Sequence, residues 1–419
     1  MRTARSSYRA RWLFPGDAEP IENGTVEVEQ GKISALHAVD DGLATDLGNV
    51  AVIPGLVNAH THLEFSDLQE PLQPSEPFSD WIRAVVGHRR RRTADPIEPV
   101  RRGFCESGRS GTTLIAEITT DDKSTAAFQD FGADVIAFRE ILCRLPEQFD
   151  RQLAIAEAHL RKFLPDKRTA GVTAGISPHA PYSVHPELFE SLVTLAEEFN
   201  APLAIHVAET RAELELLDRG EGELVEMFRD FGLWTENIML RRSRPLDYLR
   251  PLVQLEHVLI IHGNYLSDEE IDLLARHPNL AVVYCPRTHA YFGHVDHPWR
   301  KLLSRGASVA IGTDSRASNP DLSVWRELCF LRSRHPEVDP RTLLELGTIN
   351  GARALGHVDS QSGAECGTLA IGKSANLTVV ALSETSGSDA YSVLFDAHSR
   401  IVATMRAGRW IGEGGNVKH

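Results

Sequence analysis

The sequence predicts an α/β protein: a (β/α)8 barrel of the TIM type with a small β-sandwich domain formed by both termini. Three observations predict it. Eight short, apolar, β-rich segments recur through the middle of the chain, each followed by a helix-like stretch, and that alternation predicts a closed parallel barrel. Both ends instead alternate apolar and polar residues between turn signals, the pattern of antiparallel strands. Histidines and acids gather where five of the eight segments end, the face on which such barrels build their sites.

At the N-terminal end, Gly24-Thr25-Val26-Glu27-Val28-Glu29, Gln30-Gly31-Lys32 and Ile33-Ser34-Ala35-Leu36 read as strand, turn and strand. The tail repeats that style in Gly367-Thr368-Leu369, Asn376-Leu377-Thr378-Val379-Val380 and residues 400–405. Residues 1–50 and 365–419 are therefore expected to form one composite β-sandwich, and 51–364 the barrel. The eight barrel segments are 51–65, 113–118, 134–141, 172–179, 202–209, 258–265, 280–286 and 308–314. Between them lie amphipathic runs such as 185–200 and 267–277, the second opening on Ser267-Asp268-Glu269-Glu270, a capping-box pattern.

Composition narrows the function. A formal net charge of -14 opposes a nucleic-acid or anionic-membrane partner, since phosphate recognition needs clustered positive charge. The dense basic run from His88 to Arg92 reads as a solvated helix face. Five scattered cysteines, with no Cys-x-x-Cys, favour reduced thiols over disulfides or a thiolate metal site. With no apolar leader and no span long enough for a membrane helix, the expectation is a cytoplasmic protein acting on a small molecule.

The chemistry-bearing residues sit at predicted strand ends. In Pro54-Gly55-Leu56-Val57-Asn58-Ala59-His60-Thr61-His62 the two histidines are at i and i+2, which places them on the same side of a strand, able to grip one ion. Segment four reaches His179, segment five carries His206 and Glu209, segment six His262 and segment eight Asp314. A histidine after Ala-Ile or Ile-Ile, as at His206 and His262, costs several kcal/mol if left unpaired in a dry interior. His37, His88, His159, His185, His257, His277, His335, His357, His398 and His419, in helix-like, turn or terminal contexts, read as surface or capping groups.

Taken in order, Pro54 to His62, His206-Val207-Ala208-Glu209, His262-Gly263 and Gly312-Thr313-Asp314-Ser315 resemble the metal-dependent amidohydrolase superfamily, in its cytosine-deaminase-like and chlorohydrolase-like branch. The resemblance runs over essentially the whole chain. It implies that His60, His62, His206 and Asp314 bind one divalent metal, zinc, with iron as the alternative. Binuclear members carry a lysine at the end of strand four, and residues 172–179 contain none, so a mononuclear site follows. One metal suits deamination, because it lowers the pKa of bound water from about 16 to about 7.

By the same resemblance Glu209 is the acid that protonates a ring nitrogen and then the leaving amine, Asp314 doubles as base, and His262 stabilises developing charge. His179 resembles a substrate-contacting histidine of purine-nucleoside deaminases, while Glu64 and Trp81 lie where relatives place pocket residues. Trp81 either stacks on a heterocycle or fills the core, and Arg139 either meets a carboxylate or sugar of the substrate or pairs with nearby acids. After strand seven relatives read Cys-Pro-x-Ser-Asn, whereas this chain has Cys285-Pro286-Arg287-Thr288-His289, a loop whose Arg287 and His289 suit an anionic or aromatic ligand.

The implied activity is hydrolytic release of ammonia from an amino-substituted nitrogen heterocycle: an adenine nucleoside such as aminodeoxyfutalosine, S-adenosylhomocysteine or methylthioadenosine. Hydrolysis of an amide, cyclic amide or halogenated heterocycle on the same centre is the enzymatic alternative, and a metal-free interaction module the non-enzymatic one. Homodimers are usual in the superfamily and are implied here on that ground alone.

Overall fold

The computed structural model describes residues 5–38, 42–93, 97–121, 127–128, 134–162, 171–234, 242–357, 366–384 and 389–411. The expected domain boundary at 364–365 lies outside them. Eight strands form one sheet in which spatial order follows chain order: Leu56–Thr61, Thr112–Thr119, Asp134–Ile141, Val172–Pro178, Leu203–Val207, Val258–His262, Leu280–Tyr284 and Ser308–Ile311. The ladders from the third strand to the eighth are parallel. Most of their residues are buried, as expected of strands covered on both faces.

The barrel closes where its last strand returns to its first. Asp314 and Thr313 donate their backbone N–H groups to the His60 carbonyl at 3.0 and 3.1 Å, and Thr61 and Asp314 form a parallel bridge. Gly312 permits this approach, because a Cβ there would lie 2.8 Å from the His60 Cβ.

The first expected segment, 51–65, is not one strand. Val50–Pro54 pairs antiparallel with Leu377–Ala381 and parallel with Trp12–Leu13, and the barrel strand begins only at Leu56. Pro54 lacks an N–H and Gly55 fills a gap with no room for a side chain, where a Cβ would fall 2.2 Å from Thr113 Oγ1, so the chain changes sheets there. The expected ends at 209, 265, 286 and 314 also overshoot, since the strands stop at Val207, His262, Tyr284 and Ile311.

The termini form two sheets, one holding Arg5–Arg9, Thr25–Glu29, Lys32–His37 and Thr45–Asp46, the other six-stranded around Val50–Pro54 and Leu377–Ala381. Strands Thr25–Glu29 and Lys32–His37 are joined through Gln30 and Gly31, both with positive φ (52° and 78°), the two-residue hairpin turn that matches strand twist. Leu13, Val26, Ile33, Val52, Val379 and Met405 meet in one apolar core drawn from both sheets. Gly367-Thr368-Leu369, expected as a strand, is irregular.

By contact density the chain divides into two compact units: residues 1–58, 104–115 and 322–419 in one, and 59–103 and 116–321 in the other. The strand-end residues singled out above all fall in the second.

Candidate active site

Alternation along Leu56–Thr61 delivers the first pair as expected: the His60 and His62 rings stand 4.9 Å apart at 90°. His206, next to last on the fifth strand, brings a third imidazole, and one ring nitrogen from each of the three lies within 4.8 Å of the others. Asp314 Oδ1 is 3.6 Å from His60 Nε2 and 3.8 Å from His62 Nε2.

The surroundings hold these groups in the protonation states a cation needs. The His206 Nδ1–H donates to the His179 carbonyl at 2.9 Å, which leaves Nε2 as the lone-pair nitrogen. Burial, reinforced by the neighbouring imidazoles, drives His62 and His206 well below the usual histidine pKa, so both are neutral at pH 7. Burial pushes the Asp314 carboxyl up, but His60, His262 and the Ser318 hydroxyl, which donates at 2.8 Å, hold it down at about 2. His62 Nδ1 is buried without a hydrogen-bond partner. Three converging imidazoles and an ionised carboxylate are a donor set that fits a divalent cation.

Beside this cluster, Glu209 Oε1 lies 3.4 Å from His262 Nε2. Burial raises the Glu209 carboxyl well above its ordinary pKa, and the charges of Asp314 and Glu213 add to the effect, which favours its protonated form. His262 is pushed well down by burial despite Asp314 nearby. Its carbonyl accepts from His297 Nε2 at 2.7 Å.

The backbone explains why the strands stop short. Ala208, His262 and Asp314 have φ of 53°, 67° and 57°, left-handed values that cost a residue with a Cβ roughly 1–2 kcal/mol each. Three strand ends thus turn sharply at or beside the residues that bear the chemistry. Around Ala208 the turn is held by Glu213, whose carboxylate accepts from the N–H groups of Ala208 and Glu209 at 3.0 and 2.8 Å, while Thr210 Oγ1 accepts from the Glu213 N–H at 3.1 Å. Thr210-x-x-Glu213 is a capping-box pattern, and that pattern is the sequence signal that marks this supporting residue.

A cavity of about 210 Å³ opens beside the cluster, lined by His62, His206, Glu209, His262 and Asp314 together with His179, Trp81, Tyr182, Phe228 and other apolar groups. His179 and Trp81 both line it, and Trp81 also packs against the apolar cluster around Phe78, Phe228 and Phe292. Glu64, Arg139, Arg287 and His289 do not line it. Glu64 is tied to Arg89 and Arg92 at 2.7 and 3.1 Å, and Arg287 makes a two-pronged pair with Asp321 at 2.7 and 3.0 Å. His289 lies in a short helix, Pro286–Tyr291, rather than a loop, packed on Tyr284 and His294. On the third strand the cavity is met by Glu140, one residue on from Arg139, because neighbours on a strand face opposite ways.

Two further groups escaped the sequence reading. Glu117 on the second strand accepts the Leu63 N–H on both oxygens at 3.1 and 3.0 Å and so fixes the turn that follows His62. His159, read as a surface group, is fully buried and bonded to the Ala137 carbonyl at 2.8 Å. His185 does cap a helix, accepting from the Glu187 N–H at 3.2 Å.

No helix among the described residues is long and apolar enough to cross a membrane. An aminodeoxyfutalosine deaminase of Nitratiruptor sp. is 28% identical over 347 residues, covering 80% of each chain. A 5-methylthioadenosine/S-adenosylhomocysteine deaminase of Nitratidesulfovibrio vulgaris is 30% identical over 398 residues, 87% of this chain and 80% of that one. The crystal structure of an adenosine deaminase from Xanthomonas campestris with bound zinc superposes with a TM-score of 0.76 at 25% identity, covering 96% of this chain and 92% of the other. The amidohydrolase family profile matches residues 51–411, most of the chain, and the protein belongs to that family.

Proposed function

We propose that the protein is a hydrolytic deaminase of an adenine nucleoside, working with one divalent metal, zinc, held by His60, His62, His206 and Asp314. The observation that carries the reading is the geometry on the cavity wall: the buried Glu209 carboxyl 3.4 Å from His262 Nε2 and beside three converging imidazoles. The three relatives described above differ in the group attached to the nucleoside, and an adenine nucleoside is what their names share.

A divalent cation held by His60, His62, His206 and Asp314 would lower the pKa of a neighbouring water to about 7 and so would supply a nucleophile at neutral pH. The residues supply the rest. Asp314, fully ionised, accepts a proton from the attacking water as its oxygen bonds to the amino-bearing ring carbon. Glu209 gives its proton to the adjacent ring nitrogen, and His262 steadies the new oxygen. Asp314 returns its proton to the amino group, the carbon–nitrogen bond breaks and ammonia leaves, and the proton still on the new oxygen passes to the Glu209 carboxylate, so the ring carries a carbonyl and Glu209 is restored. The apolar remainder of the cavity excludes bulk water from these exchanges.

The test is ammonia release by the metal-loaded protein from adenosine, methylthioadenosine, S-adenosylhomocysteine, aminodeoxyfutalosine, guanine, cytosine and N-acyl amino acids. Release from an adenine nucleoside, lost in Glu209→Gln, supports the reading. Silence on every amino-heterocycle together with turnover of an amide or halide would replace it with the alternative hydrolase.

A further inference from the structure

A buried arginine stands behind one wall of the cavity. Arg144, three residues beyond the strand Asp134–Ile141, is 4% exposed, and burial pulls its guanidinium down to about 10, so it remains a cation at neutral pH. Two backbone carbonyls and an aromatic face meet that charge. Nη1 donates to the Tyr182 carbonyl, Nε donates to the Leu233 carbonyl at 3.1 Å, and Cζ stands 4.1 Å from the centroid of the Phe228 ring. Taking a cation out of water is costly, and a planar fork of donors is the side chain able to bond two carbonyls while it stacks on a ring.

The three partners belong to one surface. Tyr182, Phe228 and Leu233 all line the cavity, on the side reached from the metal cluster through His179, whose ring lies 5.0 Å from that of His206 and 5.8 Å from that of Tyr182. Tyr182 lies in the turn after the fourth strand, and Leu233 follows the helix Glu223–Asp230. That helix is closed by Gly232 (φ 69°), beyond which the Leu233 N–H returns to the Phe228 carbonyl at 2.8 Å. Arg144 is held in turn by its neighbour Cys143, which bridges to Val184, donates its N–H to the Ser183 carbonyl at 3.1 Å and accepts from the His185 N–H at 2.8 Å. One side chain fixed to the barrel rim thus clips the Tyr182 turn to the end of the helix.

We infer that Arg144 is a specificity-determining positioning residue: it sets the place of the wall formed by Tyr182, Phe228 and Leu233, against which the part of the substrate remote from the reacting ring packs. It acts through those three residues. The assignment rests on the adenine-nucleoside reading and adds to it a determinant of affinity behind the cavity wall. Contacts remote from the reacting carbon are made alike in the bound substrate and in the transition state, so loosening them raises KM and spares kcat.

The experiment measures kcat, KM and bound metal for the wild type, Arg144→Met and Arg144→Lys on an adenine nucleoside, together with inhibition by adenine, which lacks the remote part. Methionine removes both fork and charge, whereas lysine keeps the charge alone. Both variants should raise KM by about 10-fold, hold kcat within about twofold, keep their metal and leave inhibition by adenine unchanged. A lysine variant with the wild-type KM would assign the effect to charge, and equal weakening of nucleoside and adenine would make Arg144 a general support of the fold. Either result overturns the assignment, as does an unchanged KM in both variants. Should the methionine variant fail to fold, the lysine variant decides. The calorimetric Kd of the nucleoside should follow KM, so a chain that binds nucleosides in this pattern yet releases no ammonia sinks only the deaminase reading. If turnover proves to be of an amide or a halide, the same comparison of KM and kcat on that substrate tests Arg144.

Discussion

Two arcs of the barrel rim meet the same burial with different neighbours. At the ends of strands five, six and eight it pushes His206 and His262 well below the usual histidine pKa and Glu209 well above the usual carboxylate one. At strands two and three, burial raises Glu117 well above its ordinary pKa and Glu140 to about 7, while Arg89 pulls Glu140 back. The first arc thereby gathers imidazoles biased toward their neutral, lone-pair form around a carboxyl biased toward its acid form. The second becomes a scaffold of carboxyls whose charge is met by Arg89, Arg92 and backbone N–H groups. A low dielectric makes reagents where histidines converge and makes supports where arginines intervene.

The contrast breaks most visibly at His206. His206→Ala should lose the metal and cut ammonia release by about 10⁴-fold, read by elemental analysis and turnover together, because no other imidazole takes its place. Glu209→Gln should keep the metal and lower kcat by roughly 10³-fold, separating the acid from the ligands within one arc. Loss of the metal from Glu209→Gln as well would merge the two roles.

Glu117→Ala tests whether the supporting arc stays a support. The Leu63 N–H would be left without an acceptor, at a cost of about 1–3 kcal/mol in thermal or denaturant unfolding. The turn after His62 would loosen, and metal affinity should fall about 10-fold or more, measured by chelator competition. Unchanged affinity would confine Glu117 to stability.

The smallest effect is a slope. Glu213, raised by burial to about 7 against backbone N–H groups that lower it, titrates higher in the folded chain than in the unfolded one. Its contribution to stability is therefore full below the ordinary carboxylate value of 4.5 and is lost as pH rises through about 7. Across that window the melting temperature of Glu213→Gln should decline less steeply than that of the wild type, and parallel curves would count against the assignment.

The barrel was legible because strands buried on both faces read as apolar runs at regular spacing, and the hairpin at Gln30-Gly31 because its turn chemistry is local. His60, His62, His179, His206, Glu209, His262 and Asp314 were legible as polar residues closing those runs, and the structure gathers them in and beside one cavity. Where the strands stop was not, since the left-handed residues Ala208, His262 and Asp314 are not themselves glycines and, of the three, only His262 has one beside it, Gly263. Glu140 was missed by one position, the smallest slip that changes a strand residue's face. Glu117 and His297 act through backbone groups distant in sequence, at Leu63 and His262, and no local pattern marks such partners.

The closure at Gly312 carries one more consequence. His60 and Asp314 belong to the first and last staves of the barrel, and the backbone bonds that join those staves run through the same two residues. A cation gripping both side chains would act as a clasp on the seam, so its binding energy also opposes opening of the barrel there. Stripping the ion should make the seam the first part to breathe, with amide exchange at Thr313 and Asp314 accelerating before that of the strands opposite.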